Sequence, residues 1–291
     1  MLFVPPAKGG GMEIKMILID SDKCIGCGLC ARECFRMSID LENDLAVWKN
    51  RNCTHCGHCL SVCPQNAVEV SGYPDDIDII TQDYGKIDTE KLKQLQKSRR
   101  SIRRFSTRKV EKDVIEKIID SARYSATGGN FQELSFAVVQ DRMDDLRTWI
   151  WQDNLNSQYR GLFEKKYSED EVKQIIANMT PAEERITYKA PVCIAVKNNM
   201  KMYEDLRIQR YGAIDVGLAC SNMEIMANNL GLGMVYCGSA TTICEQDERI
   251  LDLFSVDESQ FLMLVMMLGY PDEKQKFLRT PPRLKRKINW K

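Results

Sequence analysis

The sequence predicts an α+β or mixed α/β chain built from two domains, on three observations. Eight of the twelve cysteines fall between Cys24 and Cys63, which sets the N-terminal part of the chain apart. From residue 110 to 269 helical and strand patterns alternate loosely, as in a layered domain of helices and sheet. Between the two regions, residues 71–97 read as a connector, with Gly72, Pro74, Gly85 and the acidic Asp75, Asp76 and Asp78. A length of 291 residues suffices for two domains with cores of their own. The expected boundaries are a flexible leader over 1–15, with Met12 or Met16 as alternative starts, a cysteine-rich domain over 16–72, a linker and helix over 73–97, and a larger domain over 98–291.

Composition narrows the class. Lysine plus arginine equals aspartate plus glutamate at 41 each, so no global positive charge calls for nucleic acid or an anionic membrane. The longest strongly apolar run, Phe261 to Leu268, is far too short to span a bilayer. No basic stretch followed by an apolar one opens the chain, so a cytoplasmic protein is expected.

The cysteines form two runs, Cys24-Ile-Gly-Cys27-Gly-Leu-Cys30-Ala-Arg-Glu-Cys34 and Cys53-Thr-His-Cys56-Gly-His-Cys59-Leu-Ser-Val-Cys63-Pro64. Both read C-x2-C-x2-C-x3-C, the bacterial ferredoxin spacing, in which the fourth cysteine of each run ligates the other cluster. One [4Fe–4S] cluster is therefore assigned Cys24, Cys27, Cys30 and Cys63, and the second Cys53, Cys56, Cys59 and Cys34. Three thiolates two residues apart wrap a cluster only on a tight loop, which Gly26, Gly28 and Gly57 permit. Pro64 stops the turn after the second run, where the first run carries Phe35. Apolar Ile39, and Val68 with Val70, follow the two runs, so the domain is an internal repeat. Zinc, the simpler alternative, is usually held by separated pairs of ligands, and a disulfide framework belongs to small secreted domains. His55 and His58 are the only histidines and sit inside the second run. They are expected outside the ligand set, and none remains for a Ser-His or Cys-His catalytic pair.

In the larger domain, Asp88 to Lys97 turns helical, and Val110, Val114, Ile115, Ile118 and Ile119 share one helical face over 110–123. Strands are expected at 135–140, 191–197, 233–237 and 261–269, the last bounded by Gly269 and Pro271. A long helix over 204–230 is rich in small and apolar residues (Ala213, Gly217, Ala219, Met223, Met226, Ala227), suggesting close packing at a subunit interface. Gly231 is its expected stop. Cys193, Cys220 and the methionines, among them Met263, Met266 and Met267, read as core.

Three segments carry candidate chemistry. Arg99-Arg-Ser-Ile-Arg-Arg104 is either a solvated basic surface or a phosphate grip. Ala126-Thr-Gly-Gly-Asn-Phe-Gln132 is either an ordinary helix-to-strand turn or a backbone approach to a flat ligand. Gly231-Leu-Gly-Met-Val-Tyr-Cys-Gly-Ser239 closes a helix instead of opening one, so it is no dinucleotide fingerprint.

Taken in order, RRSIRRF at 99–105, SATGGNFQ at 125–132 followed by FAVVQD at 136–141, GLGMVYCGS at 231–239 and LGYP at 268–271 resemble the FMN-dependent nitroreductase family. Residues 22–70 separately resemble two-cluster ferredoxins, so the chain is similar to ferredoxin–nitroreductase fusions found mainly in anaerobes. The resemblance implies an α+β protein: a ferredoxin-like domain followed by an α/β/α domain with a mixed sheet flanked by helices, in an intertwined homodimer. It implies FMN and two [4Fe–4S] clusters. It gives Arg99, Ser101 and Arg103 the FMN phosphate, ribityl chain and pyrimidine edge, with Arg100 in support and Arg103 beside the ring's N1 and O2. It puts Thr127, Asn130 and Gln132 against the flavin, and gives Cys237 and Gly238 backbone amides facing flavin N5 and O4. Arg279 becomes a late phosphate arginine. The family's Pro before Thr127 and Pro-Trp after Gln132 are here Ala126 and Glu133-Leu134, which bears on the substrate side of the site. Cys237 is expected to supply its backbone, with a redox-active thiol as the alternative. No protein side chain is required as a catalytic residue, since flavin N5 does the chemistry. The implied activity is reduction of a small organic acceptor (a nitroaromatic, quinone or activated alkene) with reduced ferredoxin or NAD(P)H as donor. An electron relay to a protein partner, or another flavin reaction on the same scaffold, are the alternatives. Residues 142–189 are expected to pass over the flavin, with Trp149, Trp151 and Tyr159 either forming an acceptor pocket or packing on the body.

Overall fold

The structure, a computed structural model, describes residues 16–72, 87–150, 168, 170, 174, 186–199 and 206–291. The expected leader over 1–15 and most of the linker over 73–86 lie outside the described residues. The chain forms two compact units. The first also takes in the short segment Gly129–Phe131, and the second begins at Ile87. The helix anticipated within the linker therefore belongs to the second unit.

In the first unit β1 (Ile17–Ile19) and β4 (Val68–Val70) pair antiparallel, Ile17 opposite Val70. They bracket a hairpin of β2 (Ile39–Glu42) and β3 (Leu45–Trp48). Its two-residue turn, Asn43-Asp44, has positive φ at both positions (49° and 57°), a geometry these two residue types tolerate. Ile17, Ile39, Ala46, Val68 and Val70 form the core together with Cys30 and Cys59.

The two cysteine runs fold alike. Each leads into a short helix, α1 (Leu29–Glu33) or α2 (His58–Ser61), after a glycine in the left-handed region, Gly28 (φ 72°) or Gly57 (φ 75°). Gly26 and its counterpart His55 share positive φ (65° and 51°), as do Met37 and Asn66 (51° and 48°). Gly26 is obligatory on a second ground, because an added Cβ would lie 2.0 Å from the Asp44 carbonyl oxygen.

In the second unit a four-stranded sheet runs in the order β5 (Ser135–Val139), β6 (Val192–Asn199), β8 (Gln260–Gly269), β7 (Gly233–Tyr236). These strands pair antiparallel, and a parallel bridge between Ser101 and Met234 makes the sheet mixed at its β7 edge. The apolar run at 261–269 is thus a strand, buried on both faces from Val265 onward. Val192, Ile194, Val196, Met266 and Leu268 face one side, where they meet Ile115 and Ile118 of α4 (Lys112–Asp120) and Val216, Ala219, Cys220, Met223 and Ala227 of α6 (Leu206–Asn229). Cys193, Ala195, Val265 and Met267 face the other, against α5 (Met143–Thr148), α7 (Gly238–Cys244) and α8 (Glu248–Leu253). The result is an α/β/α sandwich. Each large side chain fully buried in these layers contributes about 1.5–3 kcal/mol of transfer free energy.

Two helix ends deliver the candidate segments. The Asp88 carboxylate accepts the Lys91 N–H at 2.9 Å and starts α3 (Thr89–Ser98). The Asn228 side-chain amide on α6 holds the end of α3 by donating to the Leu95 carbonyl (3.1 Å) and Ser98 Oγ (2.9 Å). Residues 99–106 then run along the sheet edge. The Ile102 N–H donates to the Met234 carbonyl (3.0 Å) and the Ser106 N–H to the Tyr270 carbonyl (2.8 Å). The end of α6 is closed by Gly231 (φ 79°), with the Leu232 N–H reaching back to the Ala227 carbonyl at 2.8 Å.

Candidate functional site

In the first unit, Cys24, Cys27, Cys30 and Cys63 line one cleft of about 360 Å³, including its open mouth, together with Ile19, Ile25, Leu29, Ala46 and Val68. The fourth cysteine of the second run thus stands with the first three of the first run. Backbone amides reach the sulfurs: the Ser38 N–H donates to Cys34 Sγ and the Ala67 N–H to Cys63 Sγ, both at 3.2 Å, and the His55 N–H donates to Cys53 Sγ at 3.4 Å. Such N–H···S contacts help to set the potential of an iron–sulfur centre. Burial pushes the Cys59 thiol up to about 11, so its proton leaves only against the gain from binding metal. Four thiols, apolar walls and the Ala67 amide on Cys63 are the donor chemistry that an iron–sulfur cluster takes. His55 sits edge-on to Trp48, ring centroids 6.5 Å apart, and His58 opens α2 on the surface.

Also in the first unit, the Asn130 side-chain amide donates to the carbonyls of Thr54 (3.1 Å) and His55 (3.0 Å), inside the second cysteine run. The structure therefore places Asn130 against the cysteine loop, whereas the sequence reading put it against flavin beside Thr127 and Gln132. Those two remain in the second unit and close a turn, the Gln132 N–H donating to Thr127 Oγ1 at 3.2 Å. The turn is tied to α6 by Asp215, whose carboxylate accepts the Gly128 N–H at 3.0 and 3.2 Å. Burial raises the Asp215 carboxyl above its usual range.

The second unit brings the other predicted segments together at the β7 edge. Arg99 leaves α3 and its Nη1 donates to Glu224 Oε1 at 2.9 Å. Arg100 donates through Nη1 to the Lys97 and Arg99 carbonyls and through Nη2 to the Arg279 carbonyl, which brings residue 279 to the arginine segment. Ser101 lies opposite Met234, and the Arg103 guanidinium is 5.8 Å from the Tyr188 ring. β7 then runs directly into Cys237 and Gly238. An added Cβ on Gly233 would strike Ile102 Cγ1 at 2.2 Å, so this glycine is what lets the arginine segment lie against β7.

Cys237 requires a correction. Its N–H donates to the Val265 carbonyl at 2.8 Å, as part of the sheet, and its thiol faces the Val235 carbonyl at 3.6 Å. That amide is not available to a ligand, which leaves Gly238, where an added Cβ would meet nothing within 4 Å. Cys237 as a whole is 5 % exposed, so the redox-active alternative has little access to solvent. Cys193 and Cys220 are fully buried, and burial together with Glu224 pushes the Cys220 thiol up to about 12. Trp149 packs on the core between the guanidinium groups of Arg142 and Arg249, each 5.4 Å from its ring, which is the packing alternative. Trp151 and Tyr159 lie outside the described residues.

Residues 97–270, more than half of the chain, match the Nitroreductase family. The chain belongs to the nitroreductase family. Residues 16–64 match the 4Fe-4S dicluster domain. A protein provisionally named NADH dehydrogenase/NAD(P)H nitroreductase, from Methanothermobacter thermautotrophicus, is 26 % identical over 189 residues, 65 % of this chain and 82 % of that protein. A ferredoxin of Methanothermococcus thermolithotrophicus is 37 % identical over 57 residues, 19 % of this chain and 95 % of its own length. A nitroreductase of Bacteroides fragilis, solved with bound FMN, superposes with a TM-score of 0.52 at 20 % identity, over 69 % of this chain and 98 % of that one. The nitroreductase domain here is that of a flavin-dependent oxidoreductase, preceded by a 4Fe–4S dicluster ferredoxin domain. For FMN the donor set is apt: three guanidinium groups (Arg99, Arg100, Arg103) and the Ser101 hydroxyl on one short stretch, beside the open approach at Gly238.

Two residues of this site went unnoticed in the sequence, Glu224 and Asp215. The available signal was that they are the two acidic residues of a helix rich in small and apolar residues. Among the described residues no helix is long and apolar enough to cross a membrane.

Proposed function

We propose that this nitroreductase passes single electrons through two [4Fe–4S] clusters to FMN and reduces a small organic acceptor of the nitroaromatic, quinone or activated-alkene class. The observation that carries this is the grouping of Cys24, Cys27, Cys30 and Cys63 around one cleft in a chain whose larger unit has the nitroreductase fold. The cross-ligated sets are Cys24, Cys27, Cys30 with Cys63, and Cys53, Cys56, Cys59 with Cys34. When bound, FMN supplies the ability to collect electrons one at a time and deliver them as a hydride equivalent.

The chain's own residues bind and orient. Arg99, Arg100, Ser101 and Arg279 hold the phosphate end by charge-assisted hydrogen bonds. Arg103 places positive charge beside the ring, where it favours the reduced form. The Gly238 amide faces the ring edge, and the Thr127–Gln132 turn borders it. Reduced ferredoxin or NAD(P)H is the donor, in the cytoplasm. The functional form is a homodimer paired through α6, whose Tyr211, Ile214 and Leu218 form an exposed apolar stripe.

Anaerobic reduction with each donor, following cluster and flavin absorbance together, tests the electron path. Steady-state turnover of representative acceptors tests the reaction. Flavin that is reduced while the clusters stay oxidised would refute the path, and fast flavin reduction without acceptor turnover would favour a relay to a protein partner.

A further inference from the structure

Glu224 is a buried carboxylate that the reading above does not use. It lies on α6, next to the core residue Met223, and its side chain is 10 % exposed. An ionised carboxylate in such a place requires partners. It has two. Arg99 Nη1 donates to Oε1 at 2.9 Å, and the Tyr236 hydroxyl donates to Oε2 at 3.4 Å. Glu224 therefore links α6, the arginine segment and the last residue of β7, the three elements that meet at the flavin loop. Arg99 is not consumed by the pairing. Its side chain remains 29 % exposed, and a guanidinium has five N–H donors, of which this contact uses one.

We propose that Glu224 is a positioning residue for flavin binding: it fixes the Arg99 guanidinium so that its remaining donors meet the FMN phosphate, while Tyr236 holds the second carboxylate oxygen. This rests on the assignment of Arg99 to the phosphate. An arginine side chain loses considerable rotamer freedom when it binds. Anchoring it beforehand on a buried acceptor lowers that loss, which is the usual basis of preorganised affinity. The neighbouring thiol of Cys220, one helical turn before Glu224, stays protonated and adds no charge.

The test compares FMN with riboflavin, which lacks the phosphate. Flavin is stripped from the full, cluster-loaded chain, and both ligands are titrated by fluorescence quenching. Glu224→Ala is expected to weaken FMN by about tenfold or more while changing riboflavin by less than about twofold. Glu224→Gln, which keeps an acceptor for Arg99 and the shape of the site, is expected to stay within about threefold of the wild type for FMN. Tyr236→Phe is expected to weaken FMN in the same direction by less. Equal losses for both ligands would reduce Glu224 to a structural role and overturn the proposal. So would unchanged FMN affinity, or tighter FMN binding in either Glu224 variant, which would make the carboxylate a competitor of the phosphate. A wild type that binds both flavins equally would remove the phosphate role of Arg99 and the proposal with it, leaving the flavin site standing. A wild type that binds neither would overturn the flavin reading itself.

Discussion

Met37 and Asn66 occupy equivalent places, three residues after Cys34 and Cys63, and both have φ near 50°. Asparagine tolerates that conformation, whereas methionine carries a Cβ penalty with no local hydrogen bond to offset it. Met37 is 71 % exposed, so little packing is lost on replacing it. Met37→Asn is expected to stabilise the cluster-loaded chain by about 1 kcal/mol in anaerobic denaturant titration. A fall in the midpoint would show that the side chain has a contact of its own. Asp215 offers a second case. Asp215→Ala leaves the Gly128 N–H without its acceptor and should cost about 1–3 kcal/mol, while Asp215→Asn keeps an acceptor and should cost far less. The folded carboxyl titrates above its ordinary 3.8, so its contribution is fully present below that pH and is lost as pH rises through the folded value. Relative to Asp215→Asn, the wild type should therefore lose Tm as pH rises from below 3.8 through the raised folded value. The dicluster domain was legible because the spacing of its cysteine runs is local. Asp215 and Glu224 were not, because their partners lie 87 and 125 residues away along the chain.

Most elements announced themselves through periodicity: α4 and α6 by the apolar face, β6 and β8 by short runs bounded by turn residues. Their order in the sheet did not, since β6 pairs with β8 across some sixty intervening residues and no local pattern encodes that choice. Nor did the donor held by Cys237, whose amide is spoken for only once β8 lies beside it. The cysteine runs are the opposite case, two short elements whose likeness predicts a crossing of ligands. Cys63→Ala is expected to abolish the cluster of the first run and leave the second spectroscopically intact, and Cys34→Ala the reverse. Iron content should fall from about eight toward about four per chain in each variant. Electron paramagnetic resonance of the reduced variants distinguishes the two centres. Loss of the cluster belonging to the mutated cysteine's own run would overturn the crossed assignment.

At the scale of the molecule, α6 has two unlike faces. One is sealed into the core through Val216, Ala219, Cys220, Met223 and Ala227. The other shows Tyr211, Ile214 and Leu218, at 56, 54 and 43 % exposure, on successive turns with Gly217 beside them. A contiguous apolar stripe on water is unfavourable, and in the homodimer proposed above a second copy of the same helix would cover it with two-fold symmetry. Small residues such as Gly217 allow the helix backbones to approach closely. Because Glu224 and Asp215 sit on this same helix, any loss of pairing should reach the flavin site through α6. Ile214→Glu with Leu218→Glu is therefore expected to give a monomer by sedimentation velocity and to weaken FMN retention, while the cluster signals of the N-terminal unit stay unchanged. A wild type that sediments as a monomer with full FMN content would refute the pairing. A double variant that remains dimeric would move the interface off α6.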